Sequence, residues 1–233
     1  RKCGRTFSTA VALMERYPEY IFCQSQPQLY EFTRDRYPAI YRRIKEMAKR
    51  GQWAPTGCMW VEADCNLASG ESLVRQILFG KRFFMQEFGA DIKCLWLPDV
   101  FGYSGALPQI LKRSGVDYFL TQKISWSQFT LFPYHTFWWQ GIDGTSVLAH
   151  FPPAADYNSE LKPIQMMTAA RLYREKDRCS LQAVPYGYGD GGGGPNAGHL
   201  ERLRRYRNLE GMPKLVPMDA ERFFRLLARE AKD

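Results

Sequence analysis

Ile92-Lys-Cys-Leu-Trp-Leu-Pro-Asp99-Val-Phe-Gly-Tyr-Ser-Gly-Ala-Leu-Pro-Gln109 is the stretch from which the fold can be read. The apolar run Ile92–Leu97 predicts a buried strand that stops at Pro98. A carboxylate, Asp99, follows at once, and Gly102, Ser104 and Gly105 lead into a helical pattern over Ala106–Arg113. In α/β proteins the junction where a strand ends and a loop begins is where ligand chemistry is usually housed. Taken alone, a strand-Pro-Asp-turn favours a capping role for the carboxylate over a chemical one. The rest of the chain shifts that balance.

The alternation continues on both sides. Helical periodicity runs over Phe7–Arg16, and a short strand is predicted at Tyr20–Gln24. Tyr37, Ile40, Tyr41, Ile44, Met47 and Ala48 mark a second helix, stopped by Gly51. Leu73, Ile77, Phe84 and Phe88 mark a third, opened by Ser69-Gly-Glu and closed by Gly89. Beyond Gly115 come a strand at Asp117–Thr121 and a hairpin joining Thr136–Gln140 to Ser146–His150 through Gly141-Ile-Asp-Gly144. A helix at Pro163–Glu175 and a strand near Leu181–Tyr186 lead to a glycine-rich turn. Helices at Ala197–Tyr206 and Asp219–Glu230 then flank a short strand, Lys214–Val216. This order predicts an α/β domain with a mostly parallel sheet and crossover helices. The cluster Gly191–Gly194 lacks G-x-G-x-x-G spacing, so an incomplete barrel fits better than a dinucleotide-binding sheet.

Bulk properties narrow the function classes. The chain has 233 residues, enough for one substantial core or part of a larger one. Hydrophobic residues make up 45% and aromatics 15%, a globular composition. No apolar run approaches the ~20 residues that cross a bilayer, and no signal segment opens the sequence, so no membrane partner is expected. Arg1 enters a helical pattern without an initiator Met, which reads as a start inside a larger protein. The net charge of +8 is spread over helix faces, as with Arg42, Arg43, Lys45, Lys49 and Arg50. No nucleic-acid motif accompanies it, so nucleic acid is not expected as a partner. The six cysteines contain no Cys-x-x-Cys pair, and reduced thiols in a cytoplasmic protein fit best. His135, His150 and His199 lack metal-ligand spacing and read as structural.

Four predicted loops are rich in aromatic and acidic residues: Gly57–Asn66 with Trp60, Glu62 and Asp64; the Asp99 segment; Pro152–Asn158 with Asp156 and Tyr157; and Pro185–Pro195 with Asp190. Sugar sites need flat aromatic faces and carboxylates, and glycoside cleavage needs two carboxyl groups flanking the scissile bond. Asp99 and Asp190, each after a predicted strand, form the natural pair. Trp60 reads equally well as core, Glu62 and Asp64 as solvated loop charges, and Asp190 as a turn residue before glycines.

Several motifs together carry a resemblance. Trp96-Leu-Pro-Asp-Val-Phe-Gly-Tyr-Ser104 is similar to the nucleophile motif of the glycoside hydrolase family 38 α-mannosidases. Gln24–Tyr30, Trp60–Asn66 with Gly70–Gln76, Thr121–Trp126, Phe137–Gly144 and Tyr186–Gly194 match in the same order, and resemble the cytosolic and bacterial branch. The resemblance spans essentially all 233 residues. It implies a seven-stranded β/α barrel, of which residues 1–233 would be a partial N-terminal catalytic domain, and a mannose-containing oligosaccharide as substrate. It further implies retaining hydrolysis of α-linked mannose and a bound divalent metal, zinc or sometimes cobalt. By position, Asp99 would be both nucleophile and metal ligand, and Asp190 the general acid/base. Trp60, Asp64, Asp156 and Tyr157 would line the sugar site.

The family takes two further metal ligands from a His-x-Asp motif and another from a distant downstream His, none of which has a counterpart here. The 233-residue chain by itself is therefore expected to be inactive, since one carboxylate does not hold zinc tightly. The alternative is a non-catalytic carbohydrate-binding or degenerate module. A homo-oligomer of the full-length parent is compatible with the sequence.

Overall fold

Phe7, Ala10, Val11 and Met14 fall on one stripe of helix α1 (Lys2–Arg16) and are buried, the spacing expected of an amphipathic helix on a core. The same logic forms α3 (Pro38–Lys49), which buries Tyr41, Ile44 and Met47. Between them α2 (Pro27–Arg36) starts with Pro27 in the first turn, after Gln26 in a left-handed conformation at φ 64°. In this computed structural model, residues 1–189 and 192–231 are described. Strands β1 (Phe22–Gln24) and β2 (Trp53–Pro55) pair in parallel. Helix α4 (Gly70–Phe88) opens on Ser69, whose side chain accepts from the Ser72 N–H, and closes on Gly89 at φ 64°.

A second sheet has the order β3 (Cys94–Trp96), β4 (Tyr118–Leu120), β6 (Ser146–His150), β5 (Thr136–Gln140). The first three are parallel, and β5 runs antiparallel to β6 as the predicted hairpin. Helix α5 (Leu107–Arg113) connects β3 to β4. Helices α6 (Pro163–Leu172), α7 (Ala197–Tyr206) and α8 (Ala220–Glu230) complete the chain. Phe119 and Ala149 face a large core shared with α1, α3 and α4, while Cys94, Leu120 and Leu148 face Phe223, Phe224 and Leu227 of α8. The sheet is thus buried on both sides, as parallel strands require. Tyr118 stacks on Phe224 with ring centres 5.1 Å apart.

The expected α/β class with mostly parallel strands and crossover helices is what the structure shows; a seven-stranded barrel is not. The strands form two separate sheets, β1-β2 and β3-β4-β6-β5. Pro55 has no N–H to offer a neighbour. The Lys93 and Cys94 N–H groups both donate to Glu221 Oε1 of α8 at 2.9 Å, so a carboxylate occupies the strand edge. Two expected strands are also absent. Lys214–Val216 lies between Pro213 and Pro217, which cannot extend a ladder. Over Leu181–Tyr186 the backbone stays irregular, with a single bridge from Tyr186 to Ser159.

Candidate active site

Asp99 lies in the turn just beyond the carboxyl end of β3, and the surrounding loops hold it there by specific contacts. The Tyr103 hydroxyl approaches the Val100 carbonyl at 2.7 Å and the Leu97 carbonyl at 3.2 Å, and pairs with Thr121 Oγ1 beyond β4. One phenol therefore ties both flanks of Asp99 to the neighbouring strand. Gly102 adopts φ 119° against Asn66, whose Nδ2 donates to the Phe101 carbonyl at 3.0 Å. An added Cβ at Gly102 would lie 2.0 Å from Asn66 Nδ2, so the close approach requires glycine. A parallel bridge between Cys65 and Tyr103 completes this seam.

The Trp60 loop is held by α4. At Gly80 a Cβ would sit 2.1 Å from the Cys58 carbonyl oxygen, so the helix backbone presses directly on the loop. One turn earlier, the Gln76 carbonyl accepts from the Trp60 N–H and the Gln76 side chain from the Val61 N–H, both at 2.9 Å. Glu62 accepts a 2.7 Å hydrogen bond from Ser25 Oγ, just after β1. Burial pushes the Glu62 carboxyl up to about 7; the nearby Asp99 charge adds to this, and the Ser25 hydroxyl opposes it.

Asp99 itself is 45% exposed, and Oδ1 lies 2.9 Å from Lys123 Nζ. The Lys123 side chain is only 2% exposed. Its ammonium stands 3.4 Å from the Trp126 ring centre, 4.8 Å from Phe101 and 5.1 Å from Tyr157. Three aromatic faces and one carboxylate thus surround a buried cation.

The remaining residues named from sequence occupy varied settings. Trp60 is partly buried, donates Nε1–H to Gln28 Oε1 at 3.1 Å and packs edge-on against Phe83. Asp64 Oδ1 accepts from the Asn66 and Leu67 N–H groups, and Asp156 Oδ1 from that of Asn158, so each stabilises its own turn. Tyr157 faces Lys123 and also lines a mostly apolar cavity of about 750 Å³ bordered by Gln24, Trp96, Pro98 and Tyr186. Asp99 is not among its walls. Asp190 lies outside the described residues. The structure thus gathers Asp99 and Tyr157, and adds two residues that sequence reading did not single out as site residues, Glu62 and Lys123. Two signals for them were present: Glu62 stands inside a quoted motif, and Lys123 is followed by an aromatic three positions on.

Among the described residues no three His, Cys, Asp or Glu side chains are grouped so that they could hold a metal ion. Asp99 faces an ammonium, and a lone carboxylate is short of the three or four ligands of a zinc centre. The side chains described here do not fit a resident divalent metal by themselves.

Residues 1–233 match the family model described as the glycosyl hydrolases family 38 N-terminal domain. The chain belongs to glycosyl hydrolase family 38. Family relatives include alpha-mannosidase G of Dictyostelium discoideum, 47% identical over 97% of this chain and 21% of that protein. Human alpha-mannosidase 2C1 is 47% identical over 100% of the chain and 22% of its own length. An alpha-mannosidase of Saccharomyces cerevisiae is 39% identical over 96% and 21% respectively. This family 38 chain therefore spans about a fifth of the length of the curated relatives it matches. In fold it is similar to the crystal structure of an alpha-mannosidase from Enterococcus faecalis, with a TM-score of 0.80 at 18% identity, covering 100% of this chain and 27% of that one.

Proposed function

We propose that this family 38 chain forms part of an α-mannosidase that cleaves α-linked mannose from oligosaccharides with retention of configuration. The observation that carries the reading is Asp99: a half-open carboxylate at a strand end, inside a family match covering residues 1–233. In the proposed reaction an Asp99 oxygen attacks the anomeric carbon as the glycosidic C–O bond breaks, giving a mannosyl ester. Asp190 donates the proton that the leaving oxygen takes, and then removes one from the water that hydrolyses the ester. Trp60 and Tyr157 would present ring faces to the sugar, with Asp64 and Asp156 near its hydroxyls. Glu62, with its carboxyl pushed up to about 7, is a further hydrogen-bond donor for the bound sugar.

The divalent metal that the family implies, zinc or cobalt, is proposed for the whole protein, with Asp99 as one ligand and the others supplied from outside residues 1–233. A partial N-terminal catalytic domain with a cytoplasmic location completes the proposal. Six free thiols and the absence of a helix long and apolar enough to cross a membrane, among the described residues, are consistent with it.

In the full-length protein, Asp99→Asn should lower turnover of an aryl α-mannoside by at least about a thousandfold while leaving the melting temperature nearly unchanged. Retained turnover would remove Asp99 as nucleophile. Purified residues 1–233 should release no mannose with or without added Zn²⁺ or Co²⁺; release would overturn the expected inactivity. A non-catalytic carbohydrate-binding module would instead bind mannosides in full-length form without turning them over.

A further inference from the structure

We infer that Lys123 is a positioning residue for Asp99: its caged ammonium fixes one carboxylate oxygen and leaves the other to meet the anomeric carbon. The inference rests on the reading of Asp99 as nucleophile and extends it to a residue that touches no substrate in the proposal.

Four observations support it. The Lys123 ammonium lies 2.9 Å from Asp99 Oδ1, and no other cation is paired with Asp99 among the described residues. Its stem is sealed, with only 2% of the side chain exposed, whereas Asp99 is 45% exposed. A lysine with four rotatable bonds normally orients nothing. Here Trp126 at 3.4 Å and Phe101 at 4.8 Å, with Tyr157 at 5.1 Å, close the space into which the ammonium could swing. The backbone is held as well: the Lys123 N–H faces Thr121 Oγ1, which is paired with Tyr103, the phenol that also grips the two carbonyls beside Asp99. The ion pair and its scaffold therefore form one connected unit spanning the ends of β3 and β4. A carboxylate held by one oxygen loses rotation about its Cβ–Cγ bond. Its second oxygen is then presented in one direction, and a misplacement of about 1 Å there costs on the order of a hundredfold in rate.

The test follows covalent capture by a 5-fluoro-mannosyl fluoride in the full-length protein. In that step an Asp99 oxygen bonds to C1 while the C1–F bond breaks and fluoride leaves with the electron pair, so the adduct reports the nucleophile's alignment before any hydrolysis. Peptide mapping should place the adduct on Asp99 in the unsubstituted protein. Lys123→Met should slow capture about a hundredfold, with the reagent's dissociation constant within about threefold of the unsubstituted protein. Lys123→Arg should recover most of the loss, because it restores a cation that can stack in the same cage. Trp126→Leu, which removes a wall and leaves the ion pair, should give an intermediate loss.

Capture by Lys123→Met at the normal rate would overturn the inference. So would equal losses in Lys123→Met and Lys123→Arg that track a drop in melting temperature, since that pattern marks a merely structural residue. An adduct on a residue other than Asp99 in the unsubstituted protein would remove the nucleophile reading, and the positioning role with it. Should Lys123→Met fail to fold, Trp126→Leu decides: capture at the normal rate there would overturn the inference.

Discussion

Asp99 and His150 stand at equivalent places, just past β3 and at the end of β6 in one four-stranded sheet, yet their environments are opposite. Asp99 spends one oxygen on Lys123 and remains half open. His150 is fully buried: the Ala183 N–H donates to Nε2 at 3.0 Å, leaving Nδ1 to donate to Thr136 Oγ1 at 2.9 Å, which in turn pairs with Tyr173. Every polar atom of the imidazole is consumed. A strand end thus supplies a location, and what turns a location into a candidate site is unspent hydrogen-bonding capacity. Burial pushes the His150 imidazole down to about 3, so it stays neutral over the physiological range.

The contrast can be broken by measurement. The largest expected difference is between Asp99→Ala and His150→Leu in urea unfolding. The former removes a half-exposed carboxylate but leaves the buried Lys123 ammonium without its partner, and should cost about 1 kcal/mol. The latter strands the Ala183 N–H and Thr136 hydroxyl and should cost about 3 kcal/mol. Equal costs would end the distinction.

Acid sharpens it next. Below the ordinary histidine value of 6.5 the unfolded chain binds a proton that folded His150 refuses until about 3. Stability should therefore fall steadily across that window as pH drops, by no more than roughly 5 kcal/mol in total. His150→Leu should lack this component in a series of urea midpoints.

Glu62 has the opposite sign. Its folded-state value of about 7 lies above the ordinary 4.5, so stability is lost as pH rises through that interval. Glu62→Gln should gain on the unsubstituted protein between pH 4 and pH 8, by about 1–2 kcal/mol after allowing for partial exposure; parallel pH curves would count against the assignment. The smallest effect expected is that of Tyr103→Phe, which removes the tie around Asp99 and should cost about 1 kcal/mol. An unchanged urea midpoint would show that the phenol adds nothing there.

How far the chain could be read ahead of its structure differs by region. The helix at Gly70–Phe88, the Thr136–His150 hairpin and the Asp99 turn carry strong local signals: a serine cap, a terminal glycine, an Asp-Gly turn and a Pro-Asp strand stop. Helix α2 was missed because Gln28, Glu31, Arg34, Asp35 and Arg36 dilute its apolar stripe. Strand β2 was missed because three residues leave no periodicity. Glu62 and Lys123 were underrated for a different reason. Their importance lies in contacts to Ser25, Asp99, Phe101 and Tyr157, and pairings at such sequence distances leave no local pattern. The seven-strand count came from family resemblance, whereas the strand order by itself pointed only to an incomplete barrel, and no local propensity in Trp53–Pro55 or Cys94–Trp96 marks that these strands fall in separate sheets.

Glu221 has a consequence for assembly. A strand edge shut by proline stays shut, whereas one shut by a side chain is plugged. Any incoming peptide carbonyl competes with the Glu221 carboxylate for the same Lys93 and Cys94 N–H groups. The width of this sheet is therefore an equilibrium property, set by how tightly α8 holds its own carboxylate against the strand.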